Sequence, residues 1–167
     1  MNRRDKSLAC IAILTFLLAG CATEGPLVAK IQWAGTYTAA QSRRVDDPSR
    51  LTGRRTIVLE LHPEIETTRI KAALGTSFGY QFFLSGPASA KAMEVQIIIR
   101  YPKPGLTNPS TGESRAFFTR QSTCYVGLPC YASFVFTDSW ELVPGPWILE
   151  VLFHGQRLVA ERFDVSS

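Results

Sequence analysis

The chain has 167 residues, 46% hydrophobic and 19% charged, which is the balance of one globular domain and excludes a disordered or low-complexity chain. The formal charge is +4, but residues 1–21 hold Arg3, Arg4 and Lys6 against Asp5 alone, so the remainder carries only +2. That excess is too small for the strongly basic footprint of a nucleic-acid-binding domain, and no nucleic-acid partner is expected.

The chain opens on basic Arg3, Arg4 and Lys6, an apolar run from Leu8 to Leu18, and small residues after it, the three parts of a secretory signal. The run is too short to span a bilayer, whose core of ~30 Å needs about 20 apolar residues in helix. It ends Leu18-Ala19-Gly20-Cys21, which resembles the bacterial lipobox. That resemblance implies a signal peptide of residues 1–20, cleavage before Cys21, and a membrane anchor of diacylglyceryl and palmitoyl chains on that cysteine. Ala22 in place of an aspartate implies onward export in a Gram-negative envelope, to the outer membrane facing the periplasm. Residues 21–30, with Gly25-Pro26, suit a tether, and 31–167 remain as the folded domain.

Ile31, Trp33, Gly35 and Tyr37 alternate with Gln32, Ala34 and Thr36, the two-residue period of a half-buried strand. Residues 41–55 are polar, rich in turn formers, and carry Arg43, Arg44, Arg50, Arg54 and Arg55. Their composition predicts an exposed loop. Its arginines suit anionic headgroups or another polyanion, but Asp46 and Asp47 dilute them, and a solvated loop is the simpler expectation. Thr56 to His62 reads as a strand ended by Pro63, and Thr67 to Leu74 leads to Gly75. Phe78, Tyr80, Phe82 and Leu84 share one side of an aromatic strand closed by Ser85-Gly86. Val95, Ile97 and Ile99 form the inward side of the next, ended by Pro102, and Pro104 to Gly112 is loop by composition. Arg115 to Gln121 and Tyr131 to Thr137 add strands. Trp140 to Trp147 holds Pro144-Gly145-Pro146 and reads as a corner. After it, Trp147, Leu149, Val151 and Phe153 share a face, and a turn at His154-Gly155-Gln156 returns the chain through Val159, Phe163 and Val165.

These short strands, punctuated by Gly and Pro with no long helical period, predict an all-β fold, an antiparallel immunoglobulin-like β-sandwich, with a closed barrel as the alternative. Cys124 and Cys130 are the cysteines left to the folded part. In an exported chain, with Gly127 and Pro129 able to bend the loop between them, they predict a disulfide. Gly35-Thr-Tyr37, Thr68 to Gly79 and Trp140 to Trp147, in that order and spacing, together with Gly155, Leu158, Ala160, Phe163 and Val165, resemble the bacterial domain-of-unknown-function family 3859 over roughly Ile31 to Val165. The resemblance implies a small β-rich domain and no activity, cofactor or catalytic residue. It does not extend to the cysteine pair or to the arginines of 41–55.

No residue set forms a recognisable catalytic or metal constellation. His62, at a strand end, and His154, in a turn, read as exposed polar residues. The serines lack a nucleophile elbow, and Gly75-Thr-Ser-Phe-Gly79 lacks the Gly-Lys-Ser/Thr of a phosphate loop. Asp138, Glu141 and Glu150 surround the corner and could do acid-base work or hold calcium only if the fold brought them together. Trp33 and Trp147 read as core, whereas Trp140, between Ser139 and Glu141, is the candidate exposed aromatic for binding. The expectation is a non-enzymatic, lipid-anchored envelope module that binds a protein or polymer through loops and edges, without cofactor or metal. A small envelope hydrolase using carboxylates near Trp140 to Trp147 is the alternative.

Overall fold

The computed structural model describes residues 26–86 and 91–167, with the side chains of these residues apart from 39–42 and 58–60. The signal peptide, Cys21 and Ala22 lie outside the described residues. The strands are β1 (Val28–Asp46), β2 (Arg54–Glu66), β3 (Arg69–Lys71), β4 (Ser77–Ser85), β5 (Ala92–Arg100), β6 (Leu106–Thr107), β7 (Ser114–Arg115), β8 (Phe117–Tyr125), β9 (Pro129–Val135), β10 (Gly145–Phe153) and β11 (Gln156–Ser166). One sheet runs β2-β1-β4-β9 and the other β3-β11-β10-β5-β8, with β6 and β7 as a separate small hairpin. This is the two-sheet sandwich expected from the strand pattern, and not a closed barrel. β1 begins at Val28, inside the stretch assigned by composition to the tether.

The core follows from the side-chain period. Phe78, Tyr80, Phe82 and Leu84 of β4 face Val95, Ile97 and Ile99 of β5 and Trp147, Leu149 and Val151 of β10, all buried. Trp147 packs against Phe134 with ring centroids 4.8 Å apart, Tyr101 at 5.1 Å, Phe136 at 5.4 Å and Phe78 at 5.9 Å. Its indole N–H donates to the Val143 carbonyl at 3.0 Å, so its polar edge is satisfied inside the core. The Tyr80 hydroxyl donates to the Leu149 carbonyl at 3.2 Å and ties one sheet to the other. The two-residue turn at His154-Gly155 has positive φ at both positions, 49° and 79°, the hand that matches hairpin twist.

Two strand expectations fail for reasons the register shows. A bulge between Ile31 and Trp33 breaks the alternation, so Ile31 pairs with core Phe82 while Trp33 pairs with Gln81. Paired residues share a face, and Trp33 is therefore half-buried on the outer side and not in the core. Pro63 does not end β2. It lies opposite Tyr37 at a register shift, on an edge strand where the missing N–H breaks no ladder, and His62 is an exposed residue inside that strand. One pairing lay outside the expected antiparallel pattern: β3 runs parallel to β11.

Truncating Trp147 to alanine removes the ring shared by four aromatic neighbours. We expect Trp147→Ala to lose ~3–5 kcal/mol in denaturant melts, a large share of the stability of a small domain. A folded variant within ~1 kcal/mol of wild type would contradict this packing account.

Candidate functional site

Residues 41–55 are not an exposed loop. β1 continues through them to Asp46, residues 47–53 form a tip, and β2 starts at Arg54. Two successive turns, Asp47 to Arg50 and Arg50 to Gly53, make the tip, and Arg43, Arg44, Arg54 and Arg55 on either side are strand residues. Beyond Thr36, β1 leaves β4 and pairs with β2 alone, making a long arm. Gly35 is required at its base, because a Cβ there would lie 1.9 Å from the Ile65 carbonyl oxygen. Tyr37 is buried, and its hydroxyl donates to the Phe134 carbonyl at 3.4 Å. At the tip Leu51 is buried, and its carbonyl accepts from the Asn108 amide at 2.8 Å. The Ser49 carbonyl accepts from Arg115. Arg50 lies over the Phe118 ring, 4.3 Å from its centroid. The arm is thus pinned at base and tip, and it leaves hollows between itself and β9.

A wide hollow, about 1170 Å³, has Arg44, Glu64, Arg69, Lys71, Leu74 and Thr137 on its walls. An adjoining cavity of about 260 Å³ is lined by Tyr37, Arg50 and Arg55, by Arg120 of β8, and by Tyr131 and Ser133 of β9. Thr56 and Val135 belong to both. Burial pushes the Tyr37 hydroxyl up to about 12, so it stays protonated and a donor. Burial also lowers the Arg120 guanidinium to about 10, with repulsion from Arg50 as the next cause, yet leaves it charged at neutral pH.

The sequence-expected residues are distributed as follows. The Cys124–Cys130 disulfide forms, with Cα atoms 5.8 Å apart, and it joins β8 of one sheet to β9 of the other. Trp140 is half-buried in a short 3-10 turn, Ser139–Glu141, and packs against the core instead of standing exposed. The three corner acids do not gather at one point. Glu150 is buried and bonded to Arg100 at 2.6 Å and Arg157 at 3.2 Å. Glu141 accepts from the Thr137 and Asp138 amides at 2.6 and 3.0 Å, and from the Thr137 hydroxyl, which also reaches Asp138. Among the described residues no group of three or more His, Cys, Asp or Glu side chains could hold a metal ion. Arg120, and its meeting with Arg50, is what sequence reasoning missed. Their distance along the chain gave no signal, although the density of arginines at 41–55 marked the segment.

Residues 27–165 match the family described as domain of unknown function (DUF3859). An immunoglobulin-like protein from Pseudomonas aeruginosa superposes with a TM-score of 0.58 at 22% identity, over 85% of this chain and 93% of that one. This shows the immunoglobulin-like fold. An alkylpurine DNA glycosylase from Pseudomonas fluorescens, bound to DNA containing an abasic site analog, aligns at 22% identity over 60% of this chain and 28% of its own, with a TM-score of 0.40. That likeness is too slight to carry an argument. No curated protein matches the chain.

Burial raises the Glu141 carboxyl above its ordinary value, opposed by the bonds it accepts from Thr137 and Asp138. An acid raised in the folded state ionises first in the unfolded chain, so its contribution to stability falls as pH rises from the ordinary glutamate value through the raised one. The stability difference between wild type and Glu141→Gln, from urea melts across that range, should shrink with rising pH. A difference that grows or stays flat would overturn the assignment.

Proposed function

The chain belongs to the family of the domain of unknown function DUF3859, and from that premise we propose that it is a non-enzymatic binding module, lipid-anchored in the cell envelope through Cys21. The partner is an envelope protein or polymer, and the surface that receives it is the wide hollow between the arm and β9. The observation that carries this reading is the arm itself. A strand pair leaves its sheet, is pinned at both ends, and holds Arg44 over a hollow also lined by Arg69 and Lys71, against Glu64. Such a rigid, net-positive recess on a sandwich suits recognition of an acidic segment. The titratable groups beside it are engaged in structural bonds, Glu141 with Thr137 and Asp138, and Tyr37 with Phe134. They serve positioning better than proton transfer. The anchor is supported by the lipobox-like Leu18-Ala19-Gly20-Cys21 after a secretory signal.

Cys21→Ser should move the protein from the membrane fraction to the soluble fraction and abolish acylation by intact mass. Wild-type protein that is soluble and unlipidated in cells would refute the anchor. For the surface, a photo-crosslinking residue at exposed Lys71 or Leu74 should give a discrete adduct in intact cells, whereas one at exposed Arg162 in β11 should not. Equal adducts at all three, or none, would refute the assignment of this hollow.

A further inference from the structure

The smaller cavity gathers Arg50, Arg55 and Arg120 on its walls. Among the described residues no carboxylate stands within ion-pairing distance of Arg50 or Arg120. Arg120 donates to the Tyr131 carbonyl at 3.2 Å, and the Nε of Arg50 is buried without a hydrogen-bond partner. Arg55 meets Asp47 only at 3.8 Å. Glu141 lines a neighbouring hollow with Arg50 and favours its charge from there, but it forms no ion pair with it, and its Oε2 accepts from the Thr137 and Asp138 amides. Like charges brought together out of water repel and lose hydration. Burial and then repulsion from Arg50 lower Arg120, while burial is the chief cause that lowers Arg50, opposed by Tyr101, Asp47 and Glu141. The Phe118 ring and the Tyr131 carbonyl offset part of that cost, and an anion in the cavity would offset more of it.

We propose that the cavity lined by Arg50, Arg55, Arg120, Tyr131 and Ser133 is an oxyanion-binding site, taking a phosphate or carboxylate group of a small ligand or of the partner's acidic segment. The guanidinium groups supply planar forks that match either oxyanion. Tyr131 adds a hydroxyl donor, because its oxygen accepts from the Gln81 amide at 2.7 Å while its own O–H is left to donate. Ser133, whose side chain is engaged with Tyr37, stands on the same wall. At about 260 Å³ the space suits one headgroup and not a folded partner. The site deepens the binding-module reading and rests on it for its biological role, but its chemistry stands without the lipid anchor or the wider hollow.

The test is titration of the purified full chain with inorganic phosphate, and separately with citrate, at constant ionic strength against chloride, followed by calorimetry and thermal melting. Saturable binding of either, with a rise in melting temperature that chloride does not give, is expected, and the tighter of the two identifies the group. Arg120→Met should weaken that binding about tenfold or more, the loss typical of one charge-assisted donor. The same variant should melt no lower than wild type without ligand, because it removes repulsion as well as one hydrogen bond. Arg162→Met, outside the cavity, should bind as wild type does. Absence of saturable binding of both anions to wild type overturns the proposal whatever the variants do, as does undiminished binding by a folded Arg120→Met protein. Anion binding without adducts at Lys71 or Leu74 would leave this site standing and remove the wider hollow, and the reverse result would do the opposite.

Discussion

Trp147 is the contact on which the sandwich depends. It is the third residue of β10 in the five-stranded sheet, and its ring meets Phe78, Phe134 and Phe136 around the four-stranded one. The corner before it sets its position, because Gly145 adopts a positive φ of 126° where a Cβ would lie 2.9 Å from the Pro102 ring. Just upstream, Glu141 ties down the amides of Thr137 and Asp138 as the chain leaves β9. The Trp140 to Trp147 segment that carries the family resemblance is therefore a structural corner. Its acid positions backbone and its second tryptophan fills the core.

The arm extends the same logic outward. With one sheet closed on the other by aromatic rings, the outer side of β9 and β4 is available to be covered, and the β1–β2 arm lies over part of it. Gly35 admits the Ile65 carbonyl, Tyr37 reaches the Phe134 carbonyl, and Leu51 anchors the tip beside Asn108. These contacts hold the arm at its base and its tip, and an arm so held leaves less to be ordered when a ligand enters the hollows beneath it.

Strand content, turns and core were legible where they rested on local period. Phe78 to Leu84, the face led by Trp147, and the hairpin turn at His154-Gly155 all follow from alternation and turn chemistry. The disulfide was legible from the closable loop between its cysteines. What failed depended on register or on long-range meeting. One bulged residue turned Trp33 outward, since a single-residue slip exchanges the faces of a strand. A run of arginines reads as solvated loop because composition alone cannot show that the segment pairs with itself and folds back. The meeting of Arg50 with Arg120 is a property of the fold's closure, and no local pattern encodes it.

The disulfide gains a positional meaning from that meeting. By loop length alone a bridge across so short a segment contributes roughly 2 kcal/mol, and its effect on the unfolded chain is small. Its position does more. Cys124 ends β8 close after Arg120, and Cys130 precedes Tyr131 in β9. These strands are the adjoining edges of different sheets, and among the described residues no ladder hydrogen bonds pair them. The covalent bridge therefore fixes the spacing that a ladder would otherwise set, and with it the bond from Arg120 to the Tyr131 carbonyl. A half-buried cation that, among the described residues, has no ion-pair partner tends to move toward water if its support is loose. Here the strand that carries it is clamped to the strand that receives it, and the cost of burying the charge is held in place at the wall of a cavity.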